Sequence, residues 1–473
     1  MFVPARRRRP ATWTVHDYSS ANEYYAHSIP ASRWPSPHKS DAAFARIKLF
    51  VYPLPSNYTR AVFEAFGMHM KGSFANTSRE CLVRPCHELG WDGKQAQMRT
   101  FSSEVPILMR MLQSCTLVQP SEAHAFLVPF PIGLWQIAGW IFRRSAKVSR
   151  LLDELPSHLT HLNERTISRH IFLNSVDSCY ISVGTTVPLA HRAIVLHLGD
   201  DLWNSSSAKR LYHKTKLNQR GTRFNRSIVV PYRAPLPVWV ESLVDATSRP
   251  LLLFGAIGVH RHPKRGLLVR TLTRAAERDP RAAGRVHLIS NVSSVAEASE
   301  WARRSVFCLC PSGDAPAFTQ RFYWSLLHGC IPVRVDLFQR APPDVPAFPF
   351  SSLINWSRAV IDVGTADTLT SHGGSSSSSG TTTTTTRSTS TTATTTTSRR
   401  GTDHTTSIPQ GWAAGLLPLL LDLEPTAMER RRYIHSIAHW LSFDAHGADG
   451  RLREQDAASA TLYELAKLLG VTI

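Results

Sequence analysis

At 473 residues, with 42% hydrophobic and 19% charged side chains, the chain exceeds what one core supports and reads as two globular domains, which excludes a wholly disordered protein. Its 54 Lys and Arg against 35 Asp and Glu give a formal charge of +19, which favours anionic partners such as nucleotide diphosphates, acidic glycans, nucleic acid or membrane headgroups. The one dense basic run, at 6–9, is Pro-flanked and lacks interleaved aromatics, so no specific nucleic-acid module is indicated, and no stretch of about 18 apolar residues marks a transmembrane segment.

Residues 1–45 carry prolines, the Arg run and no sustained periodicity, and read as a disordered basic leader without the apolar core of a signal peptide. From 46 onward, short apolar runs at 47–52, 125–129, 170–173, 193–198 and 228–230 predict strands, with helical spacing between them at 102–115. That alternation is the mark of a βαβ sheet, here a Rossmann-like domain over 46–237. After the Pro-rich stretch 231–237 the pattern restarts, with strands predicted at 251–254, 286–289, 306–309, 331–335 and 359–363. This second Rossmann-like domain, 238–370, gives way to a Gly/Ser/Thr tract at 371–407 that cannot bury enough apolar surface to fold. Helical periodicity resumes at 412–423, 428–440 and 457–469, so 408–473 are expected to complete the second domain.

Seven scattered cysteines lack the paired spacing of a zinc site, so no metal is predicted. Cys81 and Cys86 could close a small disulfide or stand as two unrelated thiols, while Cys308 and Cys310, within an apolar strand pattern, read as core thiols. Six asparagines begin an N-x-[ST] sequon (Asn57, Asn76, Asn204, Asn225, Asn291 and Asn355), an excess that leans toward a secretory lumen.

The stretch SVFCLCPSGDAPAFTQRFYWSLLHGCIPVRV at 305–335 reads as strand, tight turn, helix, strand. Asp314 can cap the helix, Pro316 suits its first turn, and Gly329 suits the left-handed position that closes it. Free backbone N–H groups and a positive helix end then sit at the carboxyl edge of a sheet, where Arg321 adds a planar fork suited to a diphosphate. The same pattern also fits an ordinary α/β turn with Arg321 on a solvated helix face.

In order and spacing, Gly313, Asp314, Arg321, Gly329, Cys330, Ile331, Pro332 and Val333 resemble a block of the exostosin family. KLFVYPLP at 48–55, FSSEVPILMRMLQSCTLVQPSEAHAFLVPF at 101–130, HIFLNSVD at 170–177 and LLLFGAIGVHRHPKR at 251–265 are similar to further segments of that family. The resemblance implies a fold of two Rossmann-like domains facing a cleft (GT-B-like), and an inverting transfer from a UDP-sugar to a glycan or polysaccharide acceptor in the Golgi or secretory lumen. It implies donor contacts from Arg265, Ser312, Gly313, Asp314, Arg321 and Trp324, with no obligatory cofactor. Such folds stabilise the departing diphosphate by helix dipole and basic side chains, and the nearest acidic pair, Asp200-Asp201, reads as a loop feature and not as an Asp-x-Asp metal motif.

An inverting transfer needs a base for the acceptor hydroxyl. Asp177, which follows a short strand and matches the family position, is the first candidate, although a turn or cap aspartate has the same look; His124 and His170 are weaker candidates. Three residues depart from the family pattern: Trp324 stands where an acidic residue is common, Arg169 where an Asp precedes the His, and Val176 where a His precedes Asp177. They motivate an alternative, a catalytically inactive exostosin-like protein that binds glycans or stabilises a complex.

Overall fold

The computed structural model describes residues 39–55, 57–58, 102–141, 145–175, 183, 187, 189–198, 226–233, 238–239, 249–259, 263–290, 295–312, 320–337, 348–365, 412–443, 445–446 and 455–473. The Ser/Thr tract lies outside them. The folded chain begins earlier than the expected residue 46: Lys39–Arg46 form a 3-10 helix whose Phe44 is buried against the ring of Tyr463.

The first half contains β1 (Lys48–Val51), α1 (Glu104–Ser114), β2 (Thr116–Leu117), β3 (Ala125–Pro131), α2 (Ile132–Ile141), α3 (Ser145–His158), β4 (His170–Leu173), β5 (Ile194–His197) and β6 (Arg226–Val229). Its six strands form one sheet in the order β2-β1-β3-β4-β5-β6, every neighbouring pair parallel. Parallel sheets need cover on both faces, and β3, β4 and β5 are accordingly buried along their whole length and apolar but for His170 and His197.

The second half follows with β7 (Val238–Trp239), β8 (Leu251–Ala256), α4 (Pro263–Arg278), β9 (Val286–Ile289), α5 (Val295–Arg303), β10 (Ser305–Pro311), α6 (Gln320–Leu326), β11 (Ile331–Asp336), α7 (Trp356–Ala359) and β12 (Ile361–Thr365). After the tract come α8 (Trp412–Leu423), α9 (Ala427–Ile437), β13 (Ala445–His446) and α10 (Ala457–Leu469). The second sheet is also parallel throughout, ordered β12-β11-β10-β8-β9. The chain steps from β8 to β9 on one side and to β10 on the other, so the carboxyl ends of β8 and β10 flank a topological switch point, the place where open α/β sheets bind ligands.

Each strand read from the sequence is present within about two residues of its expected ends. The apolar segment IGLWQIAGWI was not read as a helix because it is hydrophobic all round and shows no amphipathic period, yet it forms α2.

Two expectations are corrected. The final helix does not complete the second domain: α8 packs on α4 and α9 packs on α7 and β11, but α10 returns to the first half and packs on α1 and β6. Arg110 of α1 pairs with Asp456 at 3.3 Å, and Arg46 donates to the carbonyl of Thr472 at 3.2 Å. Asp456 also caps α10 by accepting from the Ser459 N–H, and Gly470 closes that helix at φ 68°. The second correction concerns Cys308, which is no free thiol: it is bonded to Cys330, joining β10 to the residue before β11. Cys310 is free and buried, as expected.

Candidate functional site

The carboxyl ends of β8 and β10 are held together by one side chain. Arg265, in the first turn of α4 and buried, donates from Nε and Nη2 to the carbonyl of Ser312, at 3.0 and 2.9 Å, and from Nη1 to the carbonyl of Gly258 at 3.3 Å. Ser312 in turn donates its N–H to Val335 and accepts the Leu337 N–H on its hydroxyl, both within 2.9 Å, which ties β10 to β11. Arg265 and Ser312, both expected at the donor site, are therefore brought together at the switch point, where these contacts build its frame. Gly313 and Asp314 lie outside the described residues.

Beside this frame α6 begins one residue before Arg321. The helix ends as the sequence predicts, with Gly329 at φ 63° and the Cys330 N–H returned to the Ser325 carbonyl. Arg321 is partly exposed, and its guanidinium has no hydrogen bond or ion pair to a described residue; only its carbonyl is engaged, by the Ser325 hydroxyl. Burial lowers its pKa, and its charge pulls against the burial that pushes the neighbouring Cys310 thiol up to about 11. A cation that has lost hydration and gained no carboxylate among the described residues is poised for an anion.

Trp324 is corrected. It is 7% exposed and packs with Phe254, Ala298, Ala302 and the Cys308–Cys330 bridge, its ring 4.7 Å from that of His328. With its faces taken up in that cluster the indole is a core side chain. The Arg321 and Trp324 side chains thus leave α6 with opposite fates, one partly exposed and one packed.

At the carboxyl edge of the first sheet stands a carboxylate that the sequence did not single out. Glu104 is 1% exposed and accepts N–H bonds from Gly133 at 2.9 Å, Leu134 at 3.2 Å and Ser175. Burial raises its pKa to about 8, while the donors from Ser175, Leu134 and Gly133 work in the opposite direction. Nothing in the local sequence could have shown this, because the three donors come from two segments distant in the chain.

Asp177 lies outside the described residues, two positions after Ser175. The weaker candidates His124 and His170 are excluded by topology: they sit at the amino ends of β3 and β4, on the edge opposite to Glu104. His170 is fully buried, donates from Nδ1 to the Thr166 carbonyl, and accepts the Tyr52 hydroxyl on Nε2 at 2.7 Å; burial brings its pKa down to about 4. His124 accepts the Lys48 N–H. Arg169 belongs to the same remote edge, bonded to the Ala123 carbonyl and lying over the Phe126 ring.

The two halves meet along the crossing segment. Ser103 donates to the Pro231 carbonyl at 2.8 Å, Arg233 reaches the Ser102 hydroxyl at 3.4 Å, and the Tyr232 ring lies 5.7 Å from that of Tyr323 on α6. Among the described residues no three His, Cys, Asp or Glu side chains cluster as metal ligands, and no helix is long and apolar enough to cross a membrane.

Two wholly parallel sheets, the second with a switch-point edge framed by Arg265 and flanked by Arg321, define an α/β protein of Rossmann-like type. The chain belongs to the exostosin glycosyltransferase family: the model of the Exostosin GT47 domain matches residues 44–372. No curated protein matches it significantly.

Proposed function

We propose that the protein is an inverting glycosyltransferase that moves a sugar from a UDP-sugar to a glycan or polysaccharide acceptor. The observation that carries this reading is the guanidinium of Arg321, partly desolvated and without a hydrogen-bond or ion-pair partner among the described residues, beside the carboxyl end of β10. A diphosphate there supplies the missing counter-charge, and the planar fork of arginine suits its oxygens better than an ammonium would. Arg265 holds the strand ends against which the nucleotide rests. Gly313 and Asp314 belong to the same turn in sequence and complete the donor contacts.

In the transfer, Asp177 takes the proton of the acceptor hydroxyl as that oxygen attacks the anomeric carbon from the face opposite the leaving group. The bond to the UDP oxygen breaks, and the charge that grows on the diphosphate is stabilised by Arg321 already in place, without reorganisation. No divalent ion is required by this scheme. The Cys308–Cys330 bridge supports residence in an oxidising lumen, since such bonds persist there and are rare in the cytosol.

The test is calorimetry of UDP and common UDP-sugars with the wild type and with Arg321→Ala. Binding that weakens at least tenfold in the variant supports the assignment. Weak binding that the substitution leaves unchanged overturns it.

A further inference from the structure

We propose that Glu104 is a positioning residue for the transfer: it pins the chain that leaves β4 toward Asp177 onto the first turn of α2, and links both to the crossing segment that reaches α6. This rests on the functional reading above.

The junction is closely built. Both carboxylate oxygens are engaged, one by Gly133 and Ser175 N–H groups and the other by Leu134. A Cβ on Gly133 would stand 2.5 Å from the Glu104 Oε1 and 2.7 Å from the Ser175 nitrogen, so only glycine lets the three segments meet. The Ser175 hydroxyl is a further donor to the carboxylate.

Stability alone is a poor reason for such a group. A carboxyl buried with no basic partner among the described residues costs free energy whether it ionises or shifts its pKa to stay neutral, and an apolar replacement is often no less stable. Among the described residues no ionisable side chain is among the groups that act on Glu104, and α2 carries none. The nearest cations in sequence and along the crossing are engaged elsewhere, Arg110 with Asp456 and Arg233 with Ser102.

A continuous line of contacts runs from this carboxylate to the donor side. The two serines before Glu104 bond the crossing segment, through the Pro231 carbonyl and Arg233. Tyr232, between those two residues, meets Tyr323, which is two positions from Arg321. Glu104 thus sits where the acceptor edge and the donor helix are referred to one another, a place from which loss of the carboxylate alters alignment more than affinity.

The experiment compares the full-length wild type with Glu104→Gln by hydrogen–deuterium exchange, UDP calorimetry and steady-state transfer. The substitution is expected to speed exchange at least tenfold in peptides covering 132–136 and 174–180, to leave UDP affinity within twofold, and to lower kcat at least tenfold with KM for the donor within threefold. Should Glu104→Gln fail to fold, Ser175→Ala, which removes only the hydroxyl donor, is expected to give the same pattern at about threefold. Exchange that is unchanged at 174–180, or kcat that is unchanged while exchange rises, overturns the role of Glu104. A wild type that does not bind UDP overturns instead the reading of Arg321, and leaves the exchange comparison to decide whether Glu104 pins that segment.

Discussion

Arg265 grips the Ser312 carbonyl with two nitrogens and the Gly258 carbonyl with a third, so that one buried guanidinium spans the ends of both central strands of the second sheet. Arg265→Ala leaves those carbonyls without these donors inside the protein and is expected to cost about 3 kcal/mol of stability. Arg265→Lys should recover less than half of that, since a single ammonium cannot serve both strand ends. Thermal denaturation of the two variants checks the order.

Arg321 is expected to behave in the opposite way. It has no bonded side-chain partner among the described residues, so Arg321→Ala should change stability by no more than about 0.5 kcal/mol while UDP affinity falls ten- to a hundredfold. A large loss of stability without loss of affinity would mark it as a scaffold residue. Denaturation and calorimetry on the same preparation separate the two outcomes.

The bridge between Cys308 and Cys330 closes a loop with a sequence separation of 22. Replacing both by serine is expected to cost about 3 kcal/mol through the freedom it restores to the unfolded chain. Peptide mapping of the intact protein without reductant should recover the linked pair, and the denaturation midpoint of the double variant measures its contribution.

Asp456 both caps α10 and neutralises the nearly buried Arg110. Asp456→Ala is expected to lose about 1 kcal/mol from the cap and a further 1–3 kcal/mol from the stranded guanidinium. Asp456→Asn keeps the cap and should fall between the two, as chemical denaturation would show.

Two windows of pH dependence follow from the buried groups. His170 and His328 each have a pKa brought down to about 4 by burial, so both fold as neutral rings, and the stability this confers is lost as pH falls from 6.5 toward 4. For His170 the shift corresponds to roughly 3 kcal/mol. Glu104 acts with the other sign: its pKa is raised to about 8, so its own contribution to stability is fully present below about 4.5 and is lost as pH rises through 8. Melting curves against pH should therefore flatten on the alkaline side in Glu104→Gln.

The sheets were legible in the sequence because parallel strands buried on both faces, such as AFLVPFP and SVFCLCP, announce themselves as apolar runs. The end of α6 was legible too, since Gly329 is demanded locally by a positive φ. What escaped depends on pairing across distance. The spacing of Cys308 and Cys330 gives no hint that adjacent strands bring them together, and the helical period of α10 does not say which half it covers. Trp324 was misplaced because position after Arg321 does not fix the direction in which a helical side chain leaves. Glu104 became visible only when three backbone N–H groups converged on it.

The return of α10 to the first half has a bearing on how the protein is made. Synthesis runs from one end, and domains that emerge early usually close while later ones are still being added. Here part of the layer that covers α1 and β6 is α10, encoded far downstream of both, so the first-made sheet waits while the whole second half is synthesised. At ribosomal speeds that interval is on the order of tens of seconds, during which an apolar flank stands open to chaperones. A nonsense change anywhere downstream of the Ser/Thr tract would for this reason injure the half of the protein that lies farthest from it in the gene.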